Sequence, residues 1–174
     1  MLFRSNAPLS CLFVDVDHFK KINDEHGHQS GDQVLRHVAQ VIREQVRSID
    51  IVARYGGEEF TVLLLQATAA RAQEIAERIR STLAETTYYT DDGRRIALSV
   101  SIGVNTLPPG ETPANLSAAA KNLVEGADQA LYAAKNSGRN RTVSYSPRPK
   151  TGEDRKSTRL NSSHMSESRM PSSA

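Results

Sequence analysis

The run Arg54-Tyr55-Gly56-Gly57-Glu58-Glu59-Phe60 constrains this chain more than any other stretch. A short β-branched run, Ile51-Val52-Ala53, precedes it, and a longer apolar one, Phe60 to Leu65, follows. Two strand-like runs joined through a Gly pair predict a β-hairpin. Glycine tolerates positive φ and carries no Cβ, so the tip is expected to turn tightly and to admit a bulky anion. Glu58 and Glu59 fall at that tip. A plain hairpin does not ask for them there, because adjacent like charges repel unless a cation offsets them.

A second acidic pair lies upstream. Leu12-Phe13-Val14-Asp15-Val16-Asp17 alternates into a strand ending in acid, and His18-Phe19-Lys20-Lys21-Ile22-Asn23 follows. If the two strands are neighbours, Asp15 and Glu58 converge. Carboxylates on strand ends suit Mg²⁺, which keeps several waters and takes substrate phosphates as further ligands. Lys20 and the amides around His18 and Phe19 would then face those phosphates.

The 174 residues suffice for one domain with a real core, and 38% hydrophobic with 24% charged content is that of a globular protein. The single cysteine, Cys11, sits in an apolar run, which excludes a disulfide framework and makes a reducing cytoplasm the expected home. No run approaches the roughly 20 apolar residues of a membrane span, so no membrane association is expected.

The ends differ from the middle. From Ser146 onward apolar periodicity stops, as in a disordered tail. Residues 154–174 resemble the translation of a sequencing-library adapter, and Leu2-Phe3-Arg4-Ser5 that of the opposing adapter. The expected division is therefore a non-native head over 1–5, a domain over 6–145 and a tail over 146–174. Setting aside Arg4 and residues 154–174 turns the formal charge of +2 into −1, from 17 basic and 18 acidic residues. The basic pI then argues for neither nucleic acid nor membrane as a partner.

Along the chain, a strand is expected over about Leu9 to Asp15, then a turn-rich loop through Asn23, Asp24, Gly27 and Gly31. Asp32 opens a helix with an apolar stripe through Val34, Leu35, Val38, Val41, Ile42 and Val46. The hairpin follows, then a helix over Ala69 to Leu83 and a turn at Asp91-Asp92-Gly93. One strand is expected from Ile96 to Val104, a helix from about Leu123 to Asn136 ending at Gly138, and a last strand over Arg141 to Tyr145. This β-α-β-β-α-β-α-β order implies an α+β fold with a mostly antiparallel sheet flanked by helices.

Five ordered blocks resemble the GGDEF family of diguanylate cyclases, here in a Gly-Gly-Glu-Glu-Phe form. They are the hairpin, Asp15-Val-Asp-His-Phe-Lys-Lys-Ile-Asn23, Gly27-His28 with Gly31-Asp32, Ser101-Ile-Gly-Val104 and Ala127 to Asn140. The resemblance implies a palm-like fold, as in nucleotide cyclases and polymerases. It also implies that two GTP molecules, each on one copy of a homodimer, condense to cyclic di-GMP with Mg²⁺ or Mn²⁺ as cofactor. Family members carry a helical segment with an Asp-x-Leu-Thr-Gly-Leu-type signature before the first strand; here only Asn6 to Leu9 precede it.

Residue by residue, the resemblance makes Asp15, Glu58 and the Val16 carbonyl metal ligands. Glu58 and Glu59 are the catalytic pair. His18, Phe19, Lys20, Gly56, Gly57, Lys135 and Arg139 lie along the triphosphate, and Asn23 and Asp32 read guanine. Arg47-Ser48-Ile49-Asp50 matches an Arg-x-x-Asp site for the product as inhibitor, with Arg78 as a secondary contact. Each has a plainer reading. Asp32 would be a helix N-cap, and Lys135 and Arg139 cations favoured at a helix C-terminus. Arg47 and Asp50 would be an exposed ion pair. His18, His26, His28 and His37 fit no zinc spacing. The alternative for the whole chain is a non-catalytic module that binds GTP or cyclic di-GMP, or an inactive fragment.

Overall fold

The computed structural model of the protein describes residues 7–110 and 115–146. The adapter-like head and the tail beyond residue 146 lie outside the described residues. In chain order the elements are β1 (Leu9–Val16), α1 (Phe19–His26), α2 (His28–Gln45), β2 (Ile51–Arg54), β3 (Glu59–Leu65) and α3 (Ala69–Glu85), then β4 (Tyr88–Tyr89), β5 (Arg95–Ile96), β6 (Val100–Leu107), α4 (Leu116–Asn136) and β7 (Thr142–Ser144).

The main sheet runs β2-β3-β1-β6-β7. Every pairing in it is antiparallel except β6 with β7. β1 is the middle strand and is buried along its whole length, which is why its sequence is apolar almost without interruption. Its residues alternate between two cores. Leu12, Val14 and Val16 pack with Val34, Val38 and Ile42 of α2 and with Ile75 and Ile79 of α3. Leu9, Cys11 and Phe13 pack with Leu123, Ala127 and Leu131 of α4. Burial pushes the Cys11 thiol up to about 12, so it is an inert small hydrophobe. The result is an α+β sandwich with a mostly antiparallel sheet, as the element order implied.

Three local expectations fail. The stretch from Asn23 to Gly31 is not a loop but two helices. Ile22 docks into the core from α1, and the chain breaks only at Gly27, whose φ of +83° an L side chain would resist. α2 therefore starts at His28, and Asp32 lies in its second turn rather than at its cap. The expected strand over Ile96 to Val104 is divided. Arg95–Ile96 pairs with Tyr88–Tyr89 in a separate ribbon closed by the Asp91–Gly93 turn, and the long strand begins at Val100. Ile96, Leu98, Val100 and Ile102 all bury, so burial alone made two segments look like one strand. α4 begins seven residues earlier than expected, capped by the Asn115 side chain, which accepts from Ala118 N–H.

His37, on α2, stacks on Tyr88 with ring centroids 4.5 Å apart, and its buried Nε2 has no hydrogen-bond partner among the described residues. Burial holds its pKa below the ordinary value, against a small opposing pull from Glu44. A histidine that resists protonation in the folded state contributes full stability above its unfolded pKa of about 6.5 and loses it as pH falls below that value. Urea midpoints should therefore drop from neutral pH towards pH 5, and His37→Phe should flatten that drop. Parallel curves for the two proteins would remove His37 from the acid sensitivity.

Candidate active site

β1 and β3 are neighbours, with Asp15 opposite Glu59 and the Val16 N–H donating to the Glu58 carbonyl at 3.3 Å. Along β3, Phe60, Val62 and Leu64 point to the α2–α3 core. Alternation therefore turns Glu59 and Asp15 to the α4 side of the sheet. Lys135, in the last turn of α4, reaches over this edge and places Nζ 2.7 Å from Asp15 Oδ2. Asp15 is 5% exposed. Burial raises its pKa above the usual carboxylate range; Lys135 pulls it back down, and the charges of Glu58 and Glu59 push it up. Three carboxylates thus share one end of the sheet with one ammonium.

Among the described residues no three His, Cys, Asp or Glu side chains gather into a preformed metal cage. One or two carboxylates completed by water and phosphate is the ordinary habit of Mg²⁺. All the candidate ligands here are oxygens, and the best placed of them, Asp15, is buried and already held by a cation. That donor set fits a hard divalent ion.

The hairpin tip, Tyr55 to Glu58, is held by a residue that the sequence reading passed over. Arg54 Nε donates to the carbonyls of Gly56 and Gly57 at 3.1 Å each, and its Nη2 to Gly57 O at 2.6 Å. Neither Gly56 nor Gly57 takes a left-handed φ, contrary to the expectation from glycine's conformational freedom. What Gly56 supplies is space. A Cβ there would come within 2.8 Å of Glu59 Oε2.

On the other side of the carboxylates, His18 is exposed and left-handed at φ 57°, which turns the chain from β1 into α1. Phe19 is half-buried against the core, while Lys20 is exposed. Asn23 lies over Gly31, where a Cβ would collide with its Oδ1, so the absent side chain brings Asn23 beside the turn that carries Asp32. Asp32 is exposed, and its N-cap reading fails because Gly27 occupies the cap. Arg139 follows α4 in a left-handed conformation, φ 62°, with its N–H on Ala134 O at 3.1 Å.

The Arg-x-x-Asp segment is a closed turn between α2 and β2. Asp50 Oδ2 accepts from Arg47 N–H at 2.9 Å, and its Oδ1 from Leu65 N–H at 3.0 Å. Asp50 therefore does not pair with the Arg47 guanidinium, which is exposed. Arg78 donates to Gln45 Oε1 and to the Gln45 carbonyl, both at 2.6 Å, closing the end of α2 against α3.

Two further residues matter at this edge. Asp17 is 4% exposed and accepts from Ser99 Oγ, Ser101 Oγ and Asn140 N–H. Gly103 of β6 lies against the α4 backbone at Ala127 and Leu131. Both sat inside motif blocks, but nothing in their spacing named a partner. A cleft of about 570 Å³ opens beside this edge, lined by Asp17, His18, Lys21 and Ser99 among others.

A mostly antiparallel sheet with helices on both faces and carboxylates gathered at one end defines an α+β domain of the palm-like class. A family model described as "Diguanylate cyclase, GGDEF domain" matches residues 2–141, and the chain belongs to the GGDEF family. It is 45% identical over 144 residues to diguanylate cyclase A of Treponema denticola, covering 82% of this chain and 37% of that protein. The chain thus spans about a third of the length of the curated relatives it matches. Among solved structures it resembles the GGDEF domain of DgcB from Caulobacter crescentus, determined in complex with c-di-GMP. There the TM-score is 0.71 at 36% identity, over 79% of this chain and 78% of that one. It also resembles the active GGEEF domain of a diguanylate cyclase from Vibrio cholerae, with a TM-score of 0.70 at 34% identity over 81% and 85% of the two chains. Among the described residues no helix is long and apolar enough to cross a membrane.

Proposed function

We propose that this chain is the catalytic domain of a diguanylate cyclase, acting as a homodimer on two GTP molecules. The observation that carries the reading is the meeting of Asp15, Glu58 and Glu59 with Lys135 at one sheet end, in a GGDEF chain. In each half-reaction the 3′-oxygen of one GTP bonds to the α-phosphorus of the other, the α–β bridging bond breaks, and pyrophosphate leaves. Asp15, Glu58 and the Val16 carbonyl would hold Mg²⁺ or Mn²⁺, which when bound supplies charge neutralisation at the phosphates. Glu59 stands next to that set to take the proton of the attacking hydroxyl. Lys135 moves from Asp15 to the triphosphate as it arrives, joined by Arg139, Lys20 and the backbone amides of His18 and Phe19. Gly56 and Gly57 leave room for the phosphates at the tip. Asn23 and Asp32 read the guanine edge; a carboxylate accepts from N1–H and the N2 amine, which adenine does not offer.

The test is incubation of the chain with GTP and Mg²⁺, beside Glu58→Ala, with cyclic di-GMP as the readout. Product from the first and none from the second supports the reading. A folded chain that binds GTP without product, even when dimerisation is enforced, would make it a nucleotide-binding module instead.

The same reading makes Arg47, Asp50 and Arg78 the inhibitory product site, supported by their common position at the α2 end and by the c-di-GMP held by the DgcB domain. Asp50 keeps the turn in shape while the Arg47 guanidinium remains exposed to stack on guanine and fork to phosphate. Arg47→Ala should weaken cyclic di-GMP binding by about 10-fold or more, the loss of a bidentate charged contact. Because the Asp50 contacts to backbone N–H groups survive, thermal stability should hold. An unchanged affinity in calorimetry would refute the site.

A further inference from the structure

We propose that Asp17 is a positioning residue for the triphosphate, acting through Arg139; the inference rests on the proposed cyclase reading and extends it. Asp17 is the first residue after β1, two past Asp15. Its carboxylate is buried, and no basic side chain pairs with it among the described residues. Three neutral donors hold it instead. Ser101 Oγ donates to Oδ1 at 2.7 Å, and Ser99 Oγ and Asn140 N–H donate to Oδ2 at 2.7 and 3.0 Å. Its own N–H donates to Ser99 O at 3.0 Å. One carboxylate therefore ties together the end of β1, the approach to β6 and the segment that follows α4.

That last tie explains an unusual piece of backbone. Arg139 and Asn140 are consecutive non-glycine residues at positive φ, 62° and 42°. Each such residue costs free energy unless its surroundings over-determine it. The Arg139 N–H is held by Ala134 O, Arg141 Nε donates to the Arg139 carbonyl, and the Asn140 N–H is held by Asp17. Arg80 Nη1 of α3 donates to Asn140 Oδ1 at 2.8 Å, and Ile102 N–H of β6 to the Arg141 carbonyl at 2.9 Å. Of the bonds to the backbone of Arg139 and Asn140 themselves, however, the Asp17 bond is the one that ties the turn to the end of β1. Removing it loosens the backbone that carries Arg139, which lets the turn shift towards ordinary φ and changes the aim of the exposed Arg139 guanidinium. A buried charge held by neutral donors suits this purpose. It bonds more strongly than a neutral acceptor would, and it brings no competing cation beside Lys135 and Arg139.

The experiment measures GTP and GMP affinity by calorimetry for the full chain, Asp17→Asn, Arg139→Ala and the double variant. Asp17→Asn keeps the shape but removes the charge that strengthens the bond to Asn140 N–H, and leaves one accepting oxygen where two served three donors. It should weaken GTP binding about 10-fold, the scale of one hydrogen bond to a charged group, and leave GMP within about 2-fold. On an Arg139→Ala background the same substitution should add less than about 2-fold, because residues acting in series are non-additive. Amide exchange at Asn140 should accelerate in Asp17→Asn. Equal losses for GTP and GMP, or full additivity with Arg139→Ala, would overturn the inference and leave Asp17 a structural residue. If Asp17→Asn does not fold, Ser99→Ala, which removes one of the same bonds, takes its place with the same pattern expected at about 3-fold. A parent chain that binds no GTP would sink the cyclase reading, a result distinct from either.

Discussion

Asp15→Asn is expected to lower cyclic di-GMP formation by at least about 100-fold, since even residues one shell outside a metal's ligands cost about 10–100-fold when lost. The fold should survive it. Asparagine has nearly the shape of aspartate, and the partner it abandons, Lys135, is 33% exposed and carries its charge on a four-carbon stem that reaches water. The reverse deletion is different. Lys135→Ala leaves Asp15, 7% exposed at its side chain, as a buried carboxylate without its cation and beside two further acids. Breaking a buried pair from the side that stays buried costs about 3–5 kcal/mol, and the partial exposure here places the expected loss below that range. Activity and stability should therefore separate. Asp15→Asn is the inactive and stable variant; Lys135→Ala is impaired and less stable. Urea titrations beside product assays check both halves. Retained activity in Asp15→Asn would remove that carboxylate from the chemistry, and equal stability in the two variants would remove the argument from burial.

Those expectations were legible because the sequence carries them in period and charge. The alternation of Leu12 to Val16 placed a strand, and the acids at its end could not be core. The Gly pair between Ala53 and Phe60 placed a hairpin. Two other kinds of information were invisible. One is a tie between groups far apart in sequence, such as Asp17 with Asn140, where each residue looks like an ordinary polar position until the chain folds. The other is space. Gly103, with the α4 backbone against it, is needed for an absent side chain rather than for φ, whereas a Cβ at Gly56 or Gly31 would first meet the end of a side chain, Glu59 or Asn23, and no local pattern distinguishes these uses. The misplaced loop before α2 has a similar cause. Asn, Asp and Gly are turn formers by propensity, but Ile22 buries from the same segment, and tertiary packing of one apolar face outweighs propensities of a few tenths of a kcal/mol per residue. Arg54 had no role in the sequence pattern either, since nothing local announces that a cation beside a Gly-Gly pair will hold the tip's own carbonyls.

Gly103→Val is expected to be the most destabilising single change at the sheet. Gly103 is the point where α4 crosses β6, and a Cβ there would fall well inside contact distance of the Ala127 carbonyl and the Leu131 amide. Both are helix backbone, so no rotamer change relieves the clash. α4 must lift from the sheet, and the small core of Leu9, Cys11, Phe13, Leu123, Ala127 and Leu131 opens with it. Overpacking costs about 1–3 kcal/mol, and more where the backbone itself must move. The opened core adds part of the roughly 2–5 kcal/mol of a large cavity. A loss of about 4 kcal/mol is a large share of the 5–15 kcal/mol that holds a domain of this size. Gly103→Ala should give a smaller loss of the same kind, because its single Cβ meets the same backbone without the extra methyls. The consequence reaches the chemistry, since Lys135 lies one turn beyond Leu131 on the helix that has to move. GTP affinity in Gly103→Ala should therefore fall along with the urea midpoint, whereas a mild core substitution in the other layer, such as Ile79→Val, should lower the midpoint alone. If Gly103→Ala loses stability but binds GTP as tightly as the parent, α4 has moved without carrying Lys135, and the helix is not the arm that holds the lysine over the carboxylates.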